Sequence, residues 1–210
     1  LMARVFGDST RDVGFFRFGK FEFDGMVQVV ARSGFSRQGG FEIYVEGFER
    51  GGPIWDALWA AGQDLEISPG SPNLIERIEG GLLSYGNEMT REDNPLECGL
   101  ERYCQLDGSV DYIGREALQQ ISETGPAKRI RGVTFDGEAC PPCQFPWPLV
   151  SDGKIVGYVT SAIWSPRFER NVALAMLDKG YWDAGIGVTV DCGDGQTRHG
   201  AIVDLPMEAQ

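Results

Sequence analysis

A carboxylate and a phenol two residues apart are the first chemistry this chain offers. In Phe41-Glu42-Ile43-Tyr44-Val45-Glu46, apolar Phe41, Ile43 and Val45 alternate with Glu42, Tyr44 and Glu46. That is the period-two pattern of a half-buried strand, and it puts Glu42 and Tyr44 together on the face away from the apolar side. An ionised acid in this place accepts charge-assisted hydrogen bonds from a ligand that presents N–H donors, and an aromatic ring beside it packs on a flat ring system. Just upstream runs Ser33-Gly34-Phe35-Ser36-Arg37-Gln38-Gly39-Gly40, whose glycines permit positive φ and close approach of a ligand. The stretch reads as a functional loop or a long hairpin turn. The plainer alternatives are an exposed strand carboxylate paired with a nearby arginine, worth about 0–1 kcal/mol, and ordinary packing of Tyr44.

Phe15, Phe16 and Phe18 form a dense aromatic cluster around Arg17. They are either core or an apolar wall that excludes water and attracts a cationic ligand through the ring faces. Tyr85, in Ser84-Tyr85-Gly86-Asn87, is pocket lining or a structural turn. Arg77 and Glu79 suggest a structural ion pair. Cys140-Pro141-Pro142-Cys143 has the spacing of half a zinc ribbon or of a redox pair, but a second pair at matching distance is missing. Cys192 and the single His199 are better read as unrelated residues, and no metal is expected.

The elements that must position these groups follow from periodicity and punctuation. Met26–Ala31 and Phe41–Glu46 read as strands on either side of the glycine loop. Pro53 in a first turn, Ile54, Trp55, Leu58 and Trp59 along a stripe and Gly62 at the end predict an amphipathic helix with its aromatic side in the core. Ser71-Pro72 opens a second helix with Leu74, Ile75 and Ile78 inward, and Gly114–Ile121 is a third. Ser122–Ala127 has the composition of a linker. Beyond it, strands are expected at 129–135, 154–160, 171–177, 187–192 and 196–205, separated by Asp136-Gly137, Asp152-Gly153 and Cys192-Gly193-Asp194-Gly195, a spacing that suggests a small antiparallel barrel. The expected class is α+β, with domains at 1–121 and 128–210 joined by 122–127.

Composition narrows the function. At 210 residues the chain can bury a real core. A net charge of −12 repels phosphate backbones, so nucleic acid is not an expected partner. No apolar run approaches the roughly 18 residues of a membrane span, and the opening residues lack a signal peptide's pattern. Five cysteines without a regular framework read as free thiols. A cytoplasmic protein is expected; the oligomeric state is not readable.

Two segments carry a resemblance. Ser33–Val45 and Glu76-Arg77-Ile78-Glu79-Gly80-Gly81-Leu82-Leu83-Ser84-Tyr85-Gly86-Asn87-Glu88 resemble the Gly-Tyr-Thr-Gly-Glu-Asp-Gly-x-Glu and Arg-Leu-Glu-Ala-Gly-x-x-Leu-Tyr-Gly-Asn-Asp stretches of the T-protein (aminomethyltransferase) family. Asn94–Leu100, Asp111–Leu118 and Gly157–Ala175 are similar to further segments of that family, in order. The resemblance covers nearly the whole chain and implies the C-terminal part of a longer protein, comprising part of a folate-binding domain, an antiparallel sheet with helices, and a C-terminal β-barrel. It implies tetrahydrofolate as cofactor, gripped at the pterin by Glu42, with Tyr44, Phe35, Phe15 and Tyr85 lining its site. Phe16, Arg17 and Trp164 would meet a small methyl donor, with Arg167 beside Trp164. The family's acidic residue near N5 lies upstream of the matched region, so no catalytic residue is named.

Asn73 stands where the family has an arginine that contributes to folate binding, and the C-terminal Met207-Glu208-Ala209-Gln210 lacks the aromatic tail of glycine-cleavage members. The phrase Pro72–Asn87 is similar instead to the branch containing dimethylsulfoniopropionate demethylases. That implies methyl transfer from a small donor, dimethylsulfoniopropionate favoured, to N5 of tetrahydrofolate. The alternatives are aminomethyl or methylated-amine one-carbon transfer, and a non-catalytic folate-binding module.

Overall fold

The computed structural model describes residues 1–34, 39–70 and 74–208. Phe35, within the glycine loop, and Asn73 lie outside the described residues, as do Ser71 and Pro72. Packing divides the chain into two compact units, Leu1–Asn73 and Leu74–Gln210.

The N-terminal unit is a three-stranded antiparallel sheet, β1 (Arg17–Phe23), β2 (Met26–Arg32) and β3 (Glu42–Tyr44), in that order, with helices α1 (Met2–Phe6) and α2 (Gly51–Ala61). β1 and β2 form a tight hairpin in which Phe23 faces Met26 across Asp24-Gly25, both at positive φ, 51° and 73°. That is the turn geometry matching the right-handed twist of paired strands, and Asp-Gly adopts it readily. The core joins Phe6, Val30 and Ile54, with Phe21, Phe23, Phe41, Ile43 and Leu58 packed around them.

Two expectations change here. β1 was not expected as a strand. The aromatic side of α2 is not core: Ile54 and Leu58 face the sheet, while Trp55 and Trp59 stack on each other on the exposed side, centroids 6.3 Å apart and planes 7° from parallel. A stripe at 54/58 and one at 55/59 lie side by side on a helix, and the compact aliphatic stripe fills the space over Val30.

The C-terminal unit is built on a closed antiparallel barrel of β4 (Lys128–Phe135), β5 (Trp147–Ser151), β6 (Lys154–Ser165), β7 (Arg170–Asp178), β8 (Gly187–Asp191) and β9 (Thr197–Val203), in the order β4-β7-β6-β5-β8-β9, closed by β9 on β4. Val133, Phe135, Leu149, Val159, Ala173, Ala175 and Leu177 fill its interior. On the outer side of β7, Val172 and Leu174 meet Ile78 of helix α3 (Leu74–Glu79), together with Ile130 and Met207. Covered on both faces, β7 carries a nearly unbroken apolar run, as doubly buried strands do.

β5 was not among the expected strands. Helix α4 spans Arg115–Thr124 and stops at Gly125, φ 77°, so Ser122–Thr124 are helical rather than linker. Helix α3 belongs to the same compact unit as the barrel, because it packs on β6 and β7.

Gly157 of β6 has no room for a side chain, since a Cβ there would lie 2.3 Å from the Met176 carbonyl oxygen on the paired strand. Gly157→Ala is expected to cost at least about 2 kcal/mol by forcing β6 from β7, read as a lower urea midpoint. An unchanged midpoint would show that the pair of strands accommodates the methyl group.

Candidate functional site

In the N-terminal unit, Glu42 is built into place by the β2–β3 pairing. Val29, Val30 and Ala31 face Tyr44, Ile43 and Glu42 in register, so Ser33, just past the end of β2, comes alongside the Glu42 side chain. The Ser33 hydroxyl donates to Oε2 of Glu42, and the Tyr44 hydroxyl donates to the same oxygen at 3.3 Å. The ends of the connection approach closely: a Cβ on Gly40 would sit 3.4 Å from the Ser33 carbonyl oxygen, and one on Gly34 3.6 Å from the Gly39 carbonyl carbon. Both are ordinary van der Waals distances, so the approach itself leaves room for a small side chain at 34 or 40. Arg32 braces the base by donating to the Val13 carbonyl at 3.2 Å, with its guanidinium 5.8 Å from the Phe41 ring centre.

Glu42 and Tyr44 are exposed, as are Phe15, Phe16, Arg17 and Phe18. The core alternative for the phenylalanines is therefore corrected: Phe18 lies on the outer face of β1 with Lys20 and Glu22, while Phe21 and Phe23 take the inner face. Phe15 and Phe16 meet edge to face at 4.4 Å, and Phe16 holds a left-handed backbone, φ 56°, an uncommon state for a bulky residue.

In the C-terminal unit, Arg77 and Glu79 do not pair with each other. Two residues apart on a helix they point in different directions. Arg77 donates to Oε2 of Glu88 at 2.9 Å, to the Leu82 carbonyl at 2.9 Å and to the Ser161 hydroxyl at 2.8 Å. Glu88 also accepts the Ser84 amide at 2.6 Å and the Ser161 hydroxyl. The Arg77 and Glu88 side chains are 5% and 0% exposed. Glu79 instead accepts the Ser165 hydroxyl at 2.5 Å and lies 3.5 Å from Arg167. This network ties α3 and the Ser84–Glu88 turn to β6.

Tyr85 projects from that turn, 66% exposed, so it is not buried packing. Trp164 is half-buried on β6 opposite Asn171, and Arg167 is exposed beside the Phe168 ring. A cavity of about 290 Å³ on this unit is lined by Thr134, Arg167, Phe168, Arg170 and Met207 among others, but not by Tyr85 or Trp164. Ser33, Glu88 and Ser161 were not among the expected functional residues, although all three sit in the motifs quoted above. The Ser33–Glu42, Arg77–Glu88 and Ser161–Glu88 contacts each join residues nine or more positions apart and are set by strand register and helix docking.

All five cysteines are free thiols. Burial pushes the Cys140 and Cys143 thiols up to about 11 and about 12, with neighbouring thiols adding to the effect. Since the thiolate is the reactive form, iodoacetamide at pH 8 should modify Cys140 about a hundredfold more slowly in the folded chain than in urea, measured by mass spectrometry. Equal rates would contradict its burial. Among the described residues no group of three or more His, Cys, Asp or Glu side chains is arranged to hold a metal ion, and no helix is long and apolar enough to cross a membrane.

The GCVT N-terminal domain family matches residues 1–108, and the glycine cleavage T-protein C-terminal barrel domain family matches residues 128–207. The chain belongs to the glycine cleavage T-protein family. It is similar to the dimethylsulfoniopropionate demethylase of Ruegeria pomeroyi, 55% identical over 195 residues, which cover 93% of this chain and 53% of that protein. It is also similar to the aminomethyltransferase of Symbiobacterium thermophilum, 36% identical over 85% of this chain and 47% of that protein. In fold it matches the crystal structure of the glycine cleavage system aminomethyltransferase T from Bartonella henselae, with a TM-score of 0.76 at 19% identity, covering 95% of this chain and 54% of that one. The chain thus spans about half the length of these T-protein relatives, and its family is one of folate-dependent methyl and aminomethyl transferases.

Proposed function

We propose that the protein carrying this chain moves a methyl group from a small donor, dimethylsulfoniopropionate favoured, to N5 of tetrahydrofolate. The observation that carries the choice of donor is the 55% identity across 93% of this chain to a protein named for that demethylation. The folate side is supported by Glu42, an exposed carboxylate steadied by two hydroxyls on a glycine-flanked hairpin. The pterin edge of tetrahydrofolate presents adjacent N–H donors, and an ionised carboxylate accepts two of them.

Methyl transfer from a sulfonium is an in-line displacement in which the carbon–sulfur bond breaks as the carbon–nitrogen bond forms. The sulfur would lose its positive charge and leave as a thioether that keeps the donor's carboxylate, and the N5 proton would pass to solvent. Neither step needs a protein nucleophile. The chain's residues bind, orient and exclude water, and positioning of this kind supplies up to roughly 7–11 kcal/mol of a barrier. In this reading Glu42 fixes the pterin and Tyr44 packs beside it. The exposed rings of Phe15 and Phe16 attract the sulfonium charge, and Arg17 between Phe16 and Phe18 takes the donor's carboxylate. In the C-terminal unit we infer separate roles for Tyr85 toward the cofactor and Trp164 toward the donor. A cytoplasmic setting is inferred from the five free cysteines.

The aminomethyltransferase relative at 36% identity supports a second reading, one-carbon transfer that leaves 5,10-methylene-tetrahydrofolate. Incubating the intact protein with tetrahydrofolate and dimethylsulfoniopropionate, and resolving the folates by chromatography, separates the two. 5-Methyltetrahydrofolate is expected. Turnover only with an aminomethyl donor, to the methylene product, would favour the second reading, and no folate product with either donor would leave a binding module.

A further inference from the structure

Resting on the folate reading, we propose that Ser33 is a positioning residue for the carboxylate that grips the pterin. Glu42 is exposed on a strand face, where a glutamate with its several rotatable bonds would sample many rotamers and lose that freedom on binding. Two hydroxyls remove part of that loss beforehand. The Tyr44 phenol reaches Oε2 from the same strand, and the Ser33 hydroxyl reaches the same oxygen from the end of the neighbouring one. Donors from two strands fix the carboxylate in direction as well as place. Both contacts are donations to Oε2, and they leave Oε1 as an acceptor for a ligand's N–H donors.

The approach of Ser33 is itself held in place. Ala31 pairs with Glu42 across the ladder, Phe16 N–H donates to the Arg32 carbonyl at 2.9 Å, and Gly40 passes close to the Ser33 carbonyl oxygen. Ser33 thus meets Glu42 because the hairpin is closed at its base, and it acts on the ligand only through Glu42. A hydroxyl is required at this position; its size matters less.

The experiment is calorimetric titration of tetrahydrofolate into the intact protein carrying Ser33→Ala or Ser33→Thr, with thermal unfolding of each variant as a control. Ser33→Ala is expected to weaken binding about tenfold with little change in unfolding midpoint, since the side chain packs no core. Ser33→Thr, which keeps the hydroxyl, should bind within about twofold of the unmodified protein. A merely structural role would move the midpoint and would not separate Ala from Thr in this way. Unmodified protein that binds tetrahydrofolate while Ser33→Ala binds equally well, or Ser33→Thr that is as weak as Ser33→Ala, overturns this assignment and leaves the folate reading standing. Failure of the unmodified intact protein to bind tetrahydrofolate overturns both.

Discussion

Replacing Arg77 by alanine lowers the unfolding free energy by about 3–5 kcal/mol, the cost typical of removing one member of a buried ion pair. The expectation follows from what is left behind. The Glu88 side chain is wholly buried and takes Arg77 and the Ser84 amide on one oxygen and the Ser161 hydroxyl on the other. Without Arg77, only neutral donors, the Ser84 amide and the Ser161 and Thr160 hydroxyls, must hold a charge out of water. The same deletion frees the Leu82 carbonyl and the Ser161 hydroxyl from the guanidinium, detaching α3 and the Ser84–Glu88 turn from β6. Glu88→Ala should cost a comparable amount, because it strands the positive partner. The double variant Arg77→Met, Glu88→Leu should recover most of either loss, since apolar side chains of similar volume carry no desolvation penalty. Urea unfolding of Arg77→Ala, Glu88→Ala and the two combined gives the coupling directly, and the apolar double is read against the same baseline. If either single substitution costs less than about 1 kcal/mol, the network is not what fastens the helix to the barrel.

That pairing also shows where sequence reading stops. Arg77 and Glu79 are near neighbours in the chain and invite an ion pair, but helix geometry separates i and i+2. Each finds a partner that only tertiary structure supplies. The barrel was far more legible. Asp152-Gly153 ahead of the 154–160 run reads as a turn on its own, and the structure has both residues at positive φ joining β5 to β6. The same signal, Asp24-Gly25, marks the β1–β2 hairpin, yet β1 is masked by Phe15, Phe16 and Phe18, whose concentration reads as core or ligand wall before it reads as a strand edge. β5 is short and carries Pro148, which weakens any strand pattern. In α2 the two candidate stripes have equal helical period, and only the space over Val30 decides between aliphatic and aromatic. The Glu42 face followed directly from alternation, whereas the Ser33 contact depends on a register that no local pattern contains.

Glu42→Ala is expected to weaken tetrahydrofolate binding by the intact protein about a hundredfold or more. Hydrogen bonds to a charged acceptor contribute roughly 1.5–3 kcal/mol each, and two of them on one pterin edge correspond to at least two decades in affinity. Glu42→Gln should lose nearly as much despite its matching shape, because the amide turns an N–H toward the ligand's own N–H where the carboxylate offered a second acceptor. Both variants should unfold at the midpoint of the unmodified protein, since Glu42 is exposed and fills no core position. This joint outcome separates a ligand-gripping carboxylate from one that steadies the hairpin. A strand carboxylate held by Ser33 and Tyr44 for stability alone would lower the midpoint slightly and leave folate affinity intact. Full affinity in Glu42→Gln would mean that one acceptor at this position suffices and that charge is not what it supplies. Loss in Ala and Gln alike makes charge, rather than shape, the property this position supplies.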